Sequence, residues 1–124
     1  MSSISDRPWS GIHRASYASA DEYCAACVID ENGTGGPKRK DRCKLPVYEP
    51  RHLGGLLNRR AVRAAANRLV RGGGGVDAPV EVKRAAARRL IQLYAVIGER
   101  PPPALATMAD GGPQPSLGAS LTLT

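Results

Sequence analysis

Three cysteines and one histidine have the types and spacing to hold a metal ion. Cys24 and Cys27 form a CxxC pair, Cys43 follows after fifteen intervening residues, and His52 after eight more. This set lies near the Cys3His pattern of small zinc modules, in which four ligands close a tetrahedron. A second CxxC is missing, and His13 is a weaker fourth ligand because it sits in an irregular segment. Helical residues three apart share a face, so Cys24 and Cys27 could both point at Cys43. A buried cluster of thiols, a zinc site and a disulfide all satisfy that geometry, and the spacing leaves the three open.

Catalytic constellations are absent from the sequence. It has no nucleophile elbow, no GxxxxGK[ST] phosphate loop and no paired histidines at helical spacing. The glycine run 72–75 has no Lys-Ser/Thr after it and reads as a linker. No enzyme activity is expected, and no cofactor other than a structural zinc should Cys24, Cys27, Cys43 and His52 hold one.

The elements that must position these groups are organised around the stretch from Leu56 to Gly98. Asn58 offers an N-cap, Val62, Ala65, Ala66, Leu69 and Val70 recur at helical spacing, and Gly72 offers a left-handed stop. A second helix can be capped by Asp77 or Ala78, has Pro79 in its first turn, and carries a stripe of Val82, Ala86, Leu90, Leu93 and Ile97 before Gly98. Two such stripes joined by a short linker predict an antiparallel helix hairpin. Ahead of it, Ser19 or Ser16 can start a helix with Asp21 and Glu22 in its first turn, ending near Asn32-Gly33. Residues 32–44 read as a basic, glycine-rich loop, and LPVYEPRHLGG as an extended connector.

The expected fold class is therefore mainly α. An N-terminal arm spans 1–18, a helical domain 19–103 (helices at about 19–31, 58–71 and 79–97), and an extended C-terminal tail 104–124. A short helical turn around 104–108 is compatible with the composition there. In the tail Leu117, Leu121 and Leu123 stand among small polar residues, a piece able to add to the edge of a neighbour's sheet. Trp9 is the anchor of the arm, plugging a groove on its own domain or on a partner.

With no phenylalanine, one tryptophan and four tyrosines, burial must rest on Leu, Val, Ile and Ala, and a core of this size is small. The formal charge of +7 is uneven: residues 38–100 hold sixteen Lys and Arg against five acids, whereas 1–31 are net acidic. A basic body can meet nucleic acid, an acidic protein surface or water. No apolar run approaches a bilayer span and MSSISDRPWSGIHR has no signal-peptide core, so a cytosolic origin without membrane contact is expected. In that compartment cysteines read as thiols or metal ligands before disulfides.

Taken together, YCAACVIDEN, RCKLPVYEP and LNRRAVRAAANRLVRGGGGVDAPVEVKRAAARRLIQLYAVIGERPP resemble a small Cys-containing helical domain of tailed-bacteriophage structural modules. That domain, found near or fused to head-maturation protease and capsid proteins, carries YCxxCLID, CKLPV, RGGVDAP and LYxxxGxxPP patterns. Cys24, Cys27, Cys43, Leu45-Pro46, Asn58, residues 74–79 and Leu93-Tyr94 match it, over a span from about Trp9 to Pro103. EPRHLGGLLN departs from the family's shorter turn, and His52 is not one of its positions, which counts against a shared zinc site.

The resemblance implies a virion or prohead component made in the host cytoplasm. The expected function is a minor capsid or decoration protein that binds the major capsid protein and meets other copies of itself around the shell. Trp9, Arg59, Arg60, Arg63, Arg84, Arg88, Arg89, Leu117, Leu121 and Leu123 are the expected partner-binding residues. The alternatives are a basic nucleic-acid-binding module and a prohead-associated scaffolding factor.

Overall fold

The computed structural model describes residues 4–71 and 76–110. The stop expected at Gly72, the linker 72–75 and the tail from 111, with Leu117, Leu121 and Leu123, lie outside the described residues.

Helix α1 (Ala20–Ala26) starts at Ser19, whose hydroxyl accepts from the Glu22 amide at 3.1 Å, with Asp21 and Glu22 facing the positive helix end. It stops after two turns. Cys27 adopts an extended backbone (φ −93°, ψ 151°), and Cys27–Asp30 become strand β2. β2 pairs antiparallel with β3 (Cys43–Pro46), setting Cys27 against Pro46, Ile29 against Lys44 and Asp30 against Cys43. The helix expected to reach residue 31 is therefore half helix and half strand. Val28 and Ile29 are β-branched, and β3 offers them a ladder and Ile29 a fully buried place, 1% exposed, that no isolated helix could supply.

The connector after β3 is more than extended chain. Tyr48 bridges Leu57, a tight 3-10 turn runs over Arg51–Leu53, and Gly54 and Gly55 take left-handed backbone (φ 117° and 68°) to reverse the chain. Strand β4 (Leu57–Asn58) then pairs parallel with β1 (Ile4–Ser5). The extended arm is thus tied to the body at its beginning. It is tied again at Tyr17, a buried ring whose hydroxyl donates to the Tyr48 carbonyl at 2.5 Å.

Helix α2 (Arg59–Val70) buries Ala61, Val62, Ala65, Ala66 and Leu69, and Asn58 caps it by accepting from the Ala61 amide at 2.9 Å. Helix α3 (Val80–Val96) begins one residue after Pro79 and buries Ala86, Ala87, Leu90, Leu93 and Tyr94. It packs against α2 and also against α4 (Pro103–Ala109), a helix at the place in the expected tail where a short turn around 104–108 was compatible with the composition, and α4 buries Leu105 and Ala109. The mainly α hairpin is therefore corrected to a mixed α/β domain, with four helices and two small sheets among the described residues. Two alanine-rich stripes facing each other bury too little. α4 and the β2–β3 pair supply Leu105, Ile29, Leu45 and neighbouring Val47 to the same core, where each fully buried large aliphatic contributes about 1.5–3 kcal/mol.

A second, smaller cluster of Tyr17, Tyr23, Cys24, Ala26 and Cys43 lies under the arm. Tyr17 and Tyr23 meet edge to face with centroids 5.1 Å apart, worth about 0.5–1.5 kcal/mol beyond their area.

Candidate functional site

The cysteine corner is built by α1, β2 and β3. Cys24 and Cys43 form a disulfide with Cα atoms 5.3 Å apart, so two of the four expected zinc ligands are joined to each other. Cys27 is free. The premise that Cys24 and Cys27 share a helical face fails because the helix ends between them and the extended Cys27 is carried away from Cys24. Its half-buried thiol meets Tyr23, and burial pushes it up to about 12, against the opposing effect of that hydrogen bond, which makes it a poor nucleophile. His52 stands exposed on the turn Arg51–Leu53, outside the cysteine cluster.

Two residues that the spacing argument missed complete this corner. Asp30 brings its carboxylate so close that its oxygen and the two sulfurs all lie within 4.8 Å of one another. Asn32 lies across them: its Nδ2 is 3.4 Å from Cys24 Sγ, 3.3 Å from Cys43 Sγ, 2.9 Å from Asp30 Oδ1 and 3.2 Å from the Arg39 carbonyl, while its Oδ1 accepts from the Arg39 amide at 2.8 Å. Burial acts to raise the Asp30 carboxyl, but hydrogen bonds from Lys38 and Asn32 outweigh it and hold the group below the usual range. The signal in the sequence was Asp30-x-Asn32-Gly33, a turn signature in which Asp30 Oδ1 also accepts the Asn32 amide at 2.9 Å.

Trp9 is half-buried and forms one wall of an open cleft of about 800 Å³. Ile12, Tyr23, Leu45, Pro46, Ala61 and Ala65 supply apolar lining, and His13, Arg14, Asp41, Lys44, Arg68 and Asp77 supply charge and polarity. Leu45, buried in this lining, is left-handed (φ 64°) within β3, a conformation that costs a β-strand leucine about 1–2 kcal/mol. Trp9 thus neighbours a groove of its own domain, and it remains accessible from the cleft.

The six expected arginines divide into two groups. Arg59 pairs with Asp6 at 2.9 Å and with Glu99 at 3.5 Å, and donates to the Ile97 carbonyl at 2.6 Å. Arg60 donates to the Asp6 carbonyl at 3.1 Å, and Arg63 forms a two-pronged pair with Glu99, one bond being 2.9 Å. These three hold the arm and the end of α3 onto α2. On α3, Arg84 has a buried Nε with no hydrogen-bond partner among the described residues. Arg88 and Arg89 are exposed and make no ion pair among them. Around these two the outer face of α3 carries exposed Ala85, Gln92 and Val96, the last 57% exposed, and Val80 at its start is 62% exposed.

A buried polar node was also hidden in the sequence. Glu49 is 3% exposed; it accepts from Asn58 Nδ2 at 2.9 Å and from Arg7 Nε at 3.4 Å. Burial acts to raise its carboxyl, and hydrogen bonds from Ser5, Asn58 and Arg7 more than offset that, leaving it below the ordinary range. Asn58 Nδ2 also donates to the Arg7 carbonyl at 3.0 Å. One fully buried amide therefore caps α2, fixes the Glu49 connector and holds the arm.

No helix among the described residues is long and apolar enough to cross a membrane. No family model, curated protein or solved structure matches the chain.

Proposed function

We propose that this chain is a small structural component of a tailed-phage particle that binds the major capsid lattice as a minor capsid or decoration protein. The observation that carries the reading is the outer face of α3. Two arginines, unpaired among the described residues, stand there with alanine, glutamine and exposed valine, whereas the arginines of α2 named above are consumed within the chain. A low, partly apolar face with two exposed guanidiniums suits an acidic protein surface, to which Arg can bond in bidentate fashion. The sequence patterns between Trp9 and Pro103 supply the phage context.

In this reading the chain is made in the host cytoplasm, acts in the virion without catalysis, and in its disulfide form needs no cofactor. It works by cementing: each copy buries about 1,000 Å² or more against capsid subunits, and neighbouring copies around the shell make the contact multivalent. Trp9 beside its cleft provides a second, aromatic contact.

The test is quantitative mass spectrometry of purified mature particles produced from the genome that encodes the chain. A copy number fixed in ratio to the major capsid protein is expected. The double charge reversal Arg88→Glu/Arg89→Glu should abolish incorporation while leaving the circular dichroism of the isolated protein unchanged, and Trp9→Ala should weaken it. Absence from mature particles would overturn the proposal. A prohead factor present only in immature particles, or a DNA binder whose affinity falls steeply with salt, would then take its place.

A further inference from the structure

The cysteine corner holds more than a staple. Two sulfurs and one ionised carboxylate converge within 4.8 Å, a sulfur-and-oxygen set of the kind that binds zinc, with Zn–S at about 2.3 Å and Zn–O at about 2.0–2.2 Å. A tetrahedral ion at those distances sets two sulfurs about 3.8 Å apart and a sulfur and an oxygen about 3.5 Å apart, so the two sulfurs, now bonded to each other, must move apart on reduction before they share an ion. The three ligands come from α1, β2 and β3, and the Asp30–Cys43 pairing of β2 with β3 fixes two of them in register.

Asn32 supplies an independent observation. Its NH2 group donates to the Asp30 carboxylate and the Arg39 carbonyl and lies 3.4 and 3.3 Å from the two sulfurs, while its own oxygen is occupied by the Arg39 amide. A neutral disulfide is a weak acceptor and gains little from such a donor. Two thiolates gain much more, since hydrogen bonds to charged acceptors are about twice as strong, and outer donors of this kind orient metal ligands. The Arg39 carbonyl oxygen, 3.6 Å from Cys24 Sγ, or a water can fill the fourth position. Lys38, already paired with Asp30, compensates the excess negative charge of two thiolates and a carboxylate around one dication.

We propose that reduction of the Cys24–Cys43 disulfide opens a zinc site made of Cys24 Sγ, Cys43 Sγ and the Asp30 carboxylate. This corner is then held covalently under oxidising conditions and by metal under reducing ones. The chemistry balances with a cellular dithiol as reductant: it gives two electrons and two protons to the disulfide, yielding two thiols and its own disulfide. Zinc then displaces the two thiol protons to solvent. The site does not depend on the capsid reading, and its ligand set excludes Cys27 and His52.

The test reduces metal-free full chain with a phosphine, which becomes the phosphine oxide, and titrates Zn2+ alone against a chromophoric chelator. One ion per chain is expected for reduced protein and none for oxidised protein at the same concentrations. Co2+ in place of Zn2+ should give thiolate-to-metal charge transfer and tetrahedral ligand-field bands. Asp30→Asn, a change at an exposed side chain whose fold is checked by circular dichroism in the oxidised form, should weaken binding about tenfold or more. Cys27→Ser and His52→Ala should not alter it. If reduced protein loses structure, Zn2+ should restore it. The proposal is overturned if reduced chain binds no zinc, folded or not, if Asp30→Asn binds as tightly as the parent, or if Cys27→Ser abolishes binding.

Discussion

Replacing Asn58 by Asp tests the buried node with a single pair of atoms. The substitution keeps the cap, because a carboxylate oxygen can still accept the Ala61 amide now bonded at 2.9 Å. It removes both Nδ2 donations, to the Arg7 carbonyl at 3.0 Å and to Glu49 Oε2 at 2.9 Å, worth about 1 and about 2 kcal/mol respectively. It also sets two carboxylate oxygens about 3 Å apart, a repulsion of about 5 kcal/mol at an effective dielectric of about 20. The pair relieves that repulsion by holding a proton, so the expected loss at neutral pH is about 3–5 kcal/mol. Such a loss is a large share of the stability of a domain this size.

The sign of the pH dependence separates this mechanism from simple truncation. In the Asn58→Asp variant the folded carboxyl pair binds more protons than the unfolded chain, so stability rises on acidification by about 1.4 kcal/mol per pH unit until the unfolded carboxyls protonate. Asn58→Ala loses the cap and both donations, about 4 kcal/mol, without gaining that slope. Urea melts followed by far-ultraviolet circular dichroism between pH 5 and 7.5, for both variants and the parent, measure the difference. An Asn58→Asp protein within about 1 kcal/mol of the parent at neutral pH, or one with the pH slope of Asn58→Ala, would refute the account of the node.

In the parent, Glu49 has the opposite linkage. Its folded carboxyl lies below the ordinary value, so its stabilisation is present above the unfolded pKa of about 4.3 and is lost as pH falls through the lower folded value; Glu49→Gln should flatten that acid limb of the stability curve. Joining Cys24 to Cys43, 19 residues apart, removes loop-closure entropy worth about 3 kcal/mol from the unfolded chain. Cys24→Ala/Cys43→Ala should therefore lower the urea midpoint, and adding reductant should leave the midpoint of this variant unchanged. Arg84 carries a buried Nε without a partner among the described residues, so Arg84→Met should be neutral or stabilising by about 1 kcal/mol in the same assay; a loss above about 1 kcal/mol would mean that this guanidinium is satisfied after all.

Local chemistry in the sequence was enough for the signals that act within a few residues. Ser19 and Asn58 cap the helices that follow them, and the apolar stripes of α2 and α3 point inward, because capping and helical periodicity depend only on neighbours three and four positions away. What failed were inferences about the cysteine corner, which depended on a distant strand. Cys27–Asp30 left the helix because β3 lay within reach, which turned Cys27 away from Cys24 and brought Asp30 to the sulfurs instead. Arg59, Arg60 and Arg63 look like free surface charge in the sequence and are bound to Asp6 and Glu99. Strand pairing and charge neutralisation are decided here by residues far along the chain, from Asp30 with Cys43 to Arg59 with Asp6, 53 positions away, and a single sequence carries no signal for such separations. The caps and stripes belonged to the sequence by itself; the strands, the disulfide and the choice of which arginines pair among the described residues belong to the tertiary structure.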